Sequence, residues 1–161
     1  MNNLKSKLKN NLKKPRRIAV LGIGSRLRAD DASGLLAAEA IQKNIKNTHP
    51  GLKVFFGETA PENLTGEIKK FKPTHLIIID SADIGAKPGT IFLLKPGQLH
   101  GISFCTHQLP LQILSRYLKK SLECKIAVIG IQPKTLAFNK PVCKPVKKAV
   151  KEIVQSILTL S

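Results

Sequence analysis

The fold this sequence predicts is an α/β three-layer sandwich, with a mostly parallel central sheet of about five strands and helices on both faces. Three observations predict it. Short unbroken apolar runs such as Leu76–Ile79 have the length of strands buried on both faces. Segments with apolar residues at helical spacing lie between those runs. Proline and glycine punctuate the joints. Strand and helix in alternation build a parallel sheet covered on both sides.

The elements follow in order. Residues 1–16 are rich in Asn and Lys, and Leu4, Leu8 and Leu12 recur every four residues. A short basic amphipathic helix is one reading, and a loosely docked, flexible terminal arm is the expected one. A single α/β domain then spans 17–161. Ile18 to Gly24 reads as the first buried strand, and residues 25–30 as a loop. A helix is expected from about Asp31 to Asn47, with Gly34, Ala38, Ile41 and Ile45 near one face, and Pro50-Gly51 ends it. Leu52–Phe56 is the second strand, and Pro61 opens a short helix that closes before Pro73. His75–Asp80 is the clearest central strand. Lys87-Pro-Gly89 is a turn signal, followed by a short strand at Thr90–Leu94. No helix separates these last two strands, so one strand of the sheet is expected to be antiparallel. Residues 98–106 read as loop. Gln108–Ser121 is helical with a Leu111, Leu114, Leu118 stripe, and Lys125–Gly130 is a buried strand. A proline-rich loop runs from Pro133 to Pro145, which opens the last helix with its Val146, Val150, Ile153 and Ile157 stripe.

Composition narrows the function classes. At 161 residues and 42% hydrophobic content the chain suits one soluble domain. No run approaches the roughly 18 apolar residues of a membrane span. The basic start has no apolar segment behind it, so no secretory signal is expected and the cytoplasm is the expected location. Cys105, Cys124 and Cys143 are widely spaced and odd in number, which suits reduced thiols rather than a disulfide framework or zinc ribbon. The net charge is +17, and seven of those charges lie in residues 1–17, which leaves +10 over the rest. Such a charge invites a nucleic-acid reading. Aromatics are only 4% and there is no Trp, so stacking platforms are scarce, and no nucleic-acid partner is expected.

Candidate chemistry gathers where strands end. In an open α/β sheet, ligands bind outside the carboxyl ends of the strands. Asp30 and Asp31 follow the first strand, Asp80 ends the central one with Asp83 just beyond, and His107 opens a helix. The chain has only ten acids, so acids at strand exits are informative. Asp30 and Asp31 cannot both cap the helix that follows, and like charges side by side repel unless a cation joins them. Two carboxylates and an imidazole at one sheet edge suit a divalent metal with open positions; nickel, zinc, manganese and iron all fit such donors. Gly22-x-Gly24 resembles the start of a dinucleotide fingerprint, but Leu27 stands where the third glycine belongs. No GxSxG elbow occurs, and Cys105 beside His107 leaves a cysteine peptidase as a minor alternative.

These residues also form ordered motifs. Val20-Leu-Gly-Ile-Gly24 with Asp30-Asp31-Ala32-x-Gly34 resembles the opening motif of the hydrogenase maturation endopeptidases. Thr59-Ala-Pro-Glu-Asn63 resembles a motif of the subgroup acting on formate-hydrogenlyase-type hydrogenases. His75–Asp80 with Asp83-Ile-Gly85 and Pro88-Gly89, Thr106-His107-Gln108-Leu109-Pro110-Leu111, and Gly130-Ile-Gln-Pro133 follow in the family's order. The similarity runs from about Arg17 to the C-terminus. It implies a nickel-dependent endopeptidase that removes a C-terminal extension from the large-subunit precursor of a nickel–iron hydrogenase. It implies that Asp31, Asp80 and His107 are both catalytic and metal-contacting, and that the nickel is supplied by the precursor, with no organic cofactor. The protein is expected to act as a monomer without membrane insertion. The sequence departs from the family at Phe56-Gly57-Glu58, where many relatives carry an acid and two glycines. Glu58 is expected to be a solvated loop acid, with entry of Glu58 or Asp83 into the site left open. A non-proteolytic nickel-sensing chaperone module and a nucleic-acid-binding domain are the rival readings.

Overall fold

A computed structural model describes residues 2–45, 49–104 and 110–160. Helix α1 (Asn2–Asn11) precedes strand β1 (Ile18–Ile23), helix α2 (Ser33–Ile45) and strand β2 (Leu52–Glu58). Helix α3 (Thr65–Phe71), strands β3 (His75–Asp83) and β4 (Ile91–Leu94), and the short β5 (Ser103–Phe104) follow. Helix α4 (Leu111–Ser121), strand β6 (Lys125–Ile131) and helix α5 (Lys144–Leu158) complete the chain. The main sheet has the order β2-β1-β3-β6-β4, and β5 pairs with the end of β3. Strands β2, β1, β3 and β6 are mutually parallel, and β4 is antiparallel to β6, as the missing crossover helix required.

The period-two alternation of strand side chains divides the interior into two cores. Ile18 and Val20 of β1, Ile77 and Ile79 of β3, and Ala127, Ile129 and Ile131 of β6 meet α2 and α5 on one face. Ala19, Leu21, Ile23, Leu76, Ile78, Ile126 and Val128 meet α3 and α4 on the other. All six residues of β1 are buried, which is why that strand reads as an unbroken apolar run. The three layers match the expectation.

The N-terminal arm differs from it. Leu4, Leu8 and Leu12 are 7%, 0% and 2% exposed and belong to the core that contains α5. The four-residue leucine spacing supplies the stripe that docks, while Lys9 and the other exposed positions face water. Helix α1 and Leu12 just after it are therefore docked on the core and not a loose arm.

Two further differences bear on the site. Strand β3 continues past Asp80 to Asp83, because Ala82 and Asp83 pair with Phe104 and Ser103. The stretch expected to be all loop thus contains β5. A tight 3-10 turn at Ala29–Ala32 precedes α2, so Asp30 and Asp31 lie inside that turn rather than opening the α-helix. No helix of the described residues is long and apolar enough to cross a membrane.

Candidate active site

The topology singles out one crevice. From β1 the chain passes through α2 to β2 on one side, then through α3 back to β3 on the other side of β1. Helix α2 leaves the carboxyl end of β1 on one face, while the chain leaving the carboxyl end of β3 goes on to α4 on the other, so the two paths part between β1 and β3. This is the switch point at which open α/β sheets bind ligands. Asp31 follows β1, and Asp80 lies in β3 where that strand pairs with Gly130 of β6. Both carboxylate residues are 0% exposed. Full burial of two carboxylates in a chain with ten acids is costly unless each is compensated.

Glycines bring the backbone close enough to build the crevice. Gly24 has φ +142°, and a Cβ there would collide with the Asp31 carbonyl oxygen. Gly34, at the start of α2, sits where a Cβ would strike the carbonyl oxygens of Ile23 and Ile79. The start of α2 is therefore packed directly on the exits of β1 and β3. The backbone N–H of Ser25 donates to Asp31 Oδ2 at 2.9 Å. The N–H of Ser81 donates to Asp80 Oδ1 at 2.7 Å. Each carboxylate is thus oriented through one oxygen by a charge-assisted hydrogen bond.

Asp30 has a different office from its neighbour. It is 0% exposed, and its carboxylate collects four donors from the loop after β6. Lys134 N and Thr135 N donate to Oδ2 at 2.8 and 3.2 Å, Cys143 N donates to Oδ1 at 2.7 Å, and the Cys143 thiol donates to Oδ2 at 3.2 Å. Burial, together with the Asp30 carboxylate, raises the Cys143 thiol above its ordinary range, which keeps it a donor. Thr135 O in turn accepts from Asp30 N. The side chain that sequence adjacency left as a spare acid is therefore the anchor of residues 134–143. Cys124 is a second free thiol, pushed up to about 11 by burial.

His107 and Cys105 lie outside the described residues. The described chain on either side of them is Phe104, paired with Ala82 two residues beyond Asp80, and Pro110, which leads into α4. Among the described residues no group of three or more His, Cys, Asp or Glu side chains could hold a metal ion. Asp31 and Asp80 are the two members of the predicted trio that the described residues contain.

The two acids left open at the sequence level are both exposed. Glu58 has φ +51°, and its carbonyl oxygen accepts from Gly24 N at 2.9 Å. Its side chain faces solvent. Asp83 Oδ1 accepts from Gly85 N at 2.9 Å and from Gln132 Nε2 at 3.0 Å. The Gln132 and Gly85 hydrogen bonds hold the Asp83 carboxyl below its ordinary range.

Several contributors were not singled out as site residues, although Gln132 and Glu62 lie within the motifs Gly130-Ile-Gln-Pro133 and Thr59-Ala-Pro-Glu-Asn63. Gln132 is 5% exposed, and its Oε1 accepts from Ile84 N and Ala86 N while its Nε2 donates to Asp83 and to Pro133 O. One amide side chain therefore ties the exit of β3 to the exit of β6. The ring of Phe92 occupies the space above Gly130, the residue paired with Asp80. Glu62 follows β2 at the same edge, and its buried Oε2 has no hydrogen-bond partner among the described residues; the same holds for the Ser33 hydroxyl at the start of α2. Glu62 stood inside a quoted motif, which was the one available pointer to it.

A family model described as HycI, hydrogenase maturation protease, matches residues 35–160. The Hydrogenase 3 maturation protease of Escherichia coli K12 is 32% identical over 139 residues, which cover 86% of each chain. The crystal structure of a NiFe hydrogenase maturation protease, HycI from Thermococcus kodakarensis KOD1, superposes with a TM-score of 0.87 at 28% identity, over 96% of this chain and 97% of the other. The hydrogenase maturating endopeptidase HybD of Escherichia coli superposes at 0.73 with 25% identity, over 89% and 90%.

Proposed function

This chain belongs to the hydrogenase maturation proteases, and from that premise we propose that it removes a C-terminal extension from the large-subunit precursor of a nickel–iron hydrogenase, in a cut that depends on nickel carried by the precursor. The observation that carries this reading is the placement of Asp31 and Asp80, both fully buried, at the exits of adjacent parallel strands on either side of the switch point. Two buried carboxylates at one strand-exit edge carry a desolvation cost that a bound divalent cation relieves. His107 completes the donor set in this reading, and the pairing of Phe104 with Ala82 supports it by bringing the chain back to this edge shortly before residue 107. Oxygen and imidazole donors together suit a nickel ion that still has open positions.

In this reading the Ser25 and Ser81 amides hold the two carboxylates in place before substrate arrives. Nickel, when it comes with the precursor, supplies Lewis-acid polarisation of the scissile carbonyl or of water. One carboxylate of the pair takes the proton of the attacking water and returns it to the leaving amine, and the close seat of α2 on β1 and β3 fixes the backbone around the pair. The protein works in the cytoplasm as a monomer.

The test is to mix the full chain with nickel-loaded precursor and follow loss of the C-terminal peptide by mass. Wild type should cleave. His107→Ala and Asp31→Asn should each slow cleavage by about 100-fold or more. Absence of cleavage with wild type, or normal cleavage with His107→Ala, would sink the assignment. Tight precursor binding without any cut would point instead to the chaperone alternative.

A further inference from the structure

Phe138 and Leu27 are the two most solvent-exposed large apolar side chains among the described residues, at 69% and 59%. They come from segments 111 positions apart in the chain and meet on adjoining backbones, because Asn139 N donates to Leu27 O at 2.7 Å. Single exposed apolar residues are ordinary on a protein surface. Two such residues on adjoining backbone segments next to the turn that carries Asp31 are not, since each carries an unrelieved hydration cost.

The platform beneath them is fixed. Arg28 Nε donates to Leu136 O at 3.3 Å, and the buried Asp30 carboxylate gathers Lys134 N, Thr135 N and Cys143 N. Asn139 sits at φ +59°, a left-handed turn conformation that asparagine tolerates, and its N–H is committed to Leu27 O. Asp30 is the residue next to Asp31. The exposed pair is thus lashed to the same short turn that presents a proposed cutting residue. Its surroundings are basic: Arg26, Arg28, Lys134 and Lys140 lie on the two segments, against Glu39, which pairs with Arg26 at 2.5 Å, and the buried Asp30.

We propose that Leu27 and Phe138 form the docking surface that selects the protein substrate, receiving an apolar segment flanked by acidic residues beside the bond that is cut. The inference rests on the reading of Asp31, Asp80 and His107 as the cutting site, since it makes the platform the specificity element of that site. The exposed side chains of Leu27 and Phe138 take no part in the Asp30 anchor beneath them, so truncating them leaves the cutting carboxylates in place. The basic rim favours an acidic approach, and the apolar pair supplies the contact that survives salt.

Steady-state cleavage of nickel-loaded precursor by the full chain tests this, alongside equilibrium binding of fluorescently labelled precursor. Leu27→Ser and Phe138→Ser should each raise KM and the precursor Kd by about 10-fold, with kcat at saturation changed less than about threefold. The double variant should lose measurable binding at micromolar precursor. Tyr117→Ser, at a 47% exposed ring on the α4 layer, should match wild type. Raising the salt should weaken binding of wild type, and a salt-independent Kd would overturn the acidic flank. Unchanged KM and Kd in the double variant, while wild type cleaves normally, would overturn the docking surface and leave the cutting site standing. A drop in kcat at unchanged KM would also overturn it. So would a wild-type dimer, seen by sedimentation, that the double variant dissolves without altering KM, since the occupant would then be a second copy of the chain. If wild type binds precursor without cutting, the cutting site fails, while loss of that binding in the double variant still upholds the docking surface.

Discussion

Asp30→Asn is the most informative single substitution outside the proposed cutting residues, because it keeps size and shape and changes only the polarity of one end. The native carboxylate accepts four hydrogen bonds, three from backbone N–H groups and one from a thiol. An amide can accept at one end only. Turned so that its oxygen faces Lys134 N, Thr135 N and the Cys143 thiol, it keeps three bonds, but the two from backbone N–H groups fall from charge-assisted to neutral strength, a loss of about 1 kcal/mol each. Its NH2 group then faces Cys143 N, donor against donor, and an orphaned part-buried amide costs about 1–3 kcal/mol. The gross penalty is about 3–5 kcal/mol. Loop residues 134–143 lie at the surface and can turn toward water, so the measured destabilisation should be about 2–4 kcal/mol, equivalent to roughly 5–15 °C in Tm. Urea unfolding of the full chain reads the loss, and amide exchange at Lys134, Thr135 and Cys143 reads its location. A loss under about 1 kcal/mol with protection unchanged at those three amides would refute the anchoring role.

Two more outcomes follow from particular backbone and side-chain environments. Glu58→Gly should stabilise the fold: the left-handed φ of +51° costs a side chain about 1–2 kcal/mol, glycine's extra unfolded-state freedom returns about 0.5–1 kcal/mol of that, and the exposed carboxylate gives up little. The urea midpoint should rise with unchanged slope, and a fall would show that the Glu58 side chain is held by the fold. Burial, and secondarily the nearby Lys125 charge, hold the His75 imidazole below its ordinary 6.5, so the folded state disfavours the proton that the unfolded chain accepts. Stability should therefore be unaffected by this group above pH 6.5 and fall as pH drops from 6.5 toward the lowered folded value, by at most about 1.4 kcal/mol per pH unit. His75→Asn should remove that part of the slope, and an identical acid limb in the variant would exclude His75 as its source.

Some of this molecule was open to sequence reasoning for a clear physical reason. Strands buried on both faces must be apolar throughout, so Ile18–Ile23, Leu76–Ile79 and Ile126–Ile129 announce themselves. Helices that bury one stripe show it, as α4 and α5 do. Strand β5 shows nothing, because a two-residue pairing with Ala82 and Asp83 is set by where β3 happens to run and not by any local pattern. The leucines of α1 allowed a helix but named no partner, which left a loose arm as the expectation, since an amphipathic stripe is the same whether it docks on α5 or stays in solution. At the site, strand exits and family motifs pointed to Asp31 and Asp80. They had no means of pointing to Phe92, whose ring matters only because Gly130 leaves room for it beside Asp80.

The neighbouring acids show most sharply what local sequence leaves undetermined. Two adjacent buried carboxylates ought to repel, and a bridging cation is the simplest remedy from sequence alone. The structure offers another for one of them. Three backbone N–H dipoles and a thiol, all from a loop more than 100 residues away, meet the Asp30 charge without any cation. The side chains of Asp30 and Asp31 then serve different partners, the first facing the loop after β6 and the second receiving the Ser25 amide just beyond β1. With Asp30 committed to the loop, the case for a cation rests on Asp31 and Asp80 across the switch point. That arrangement also couples the two proposed roles mechanically. Any shift of residues 134–143 that moves Phe138 must pull on Asp30, and through the shared turn on Asp31, so the surface that chooses the substrate and the carboxylate that helps cut it are held in register by one buried side chain.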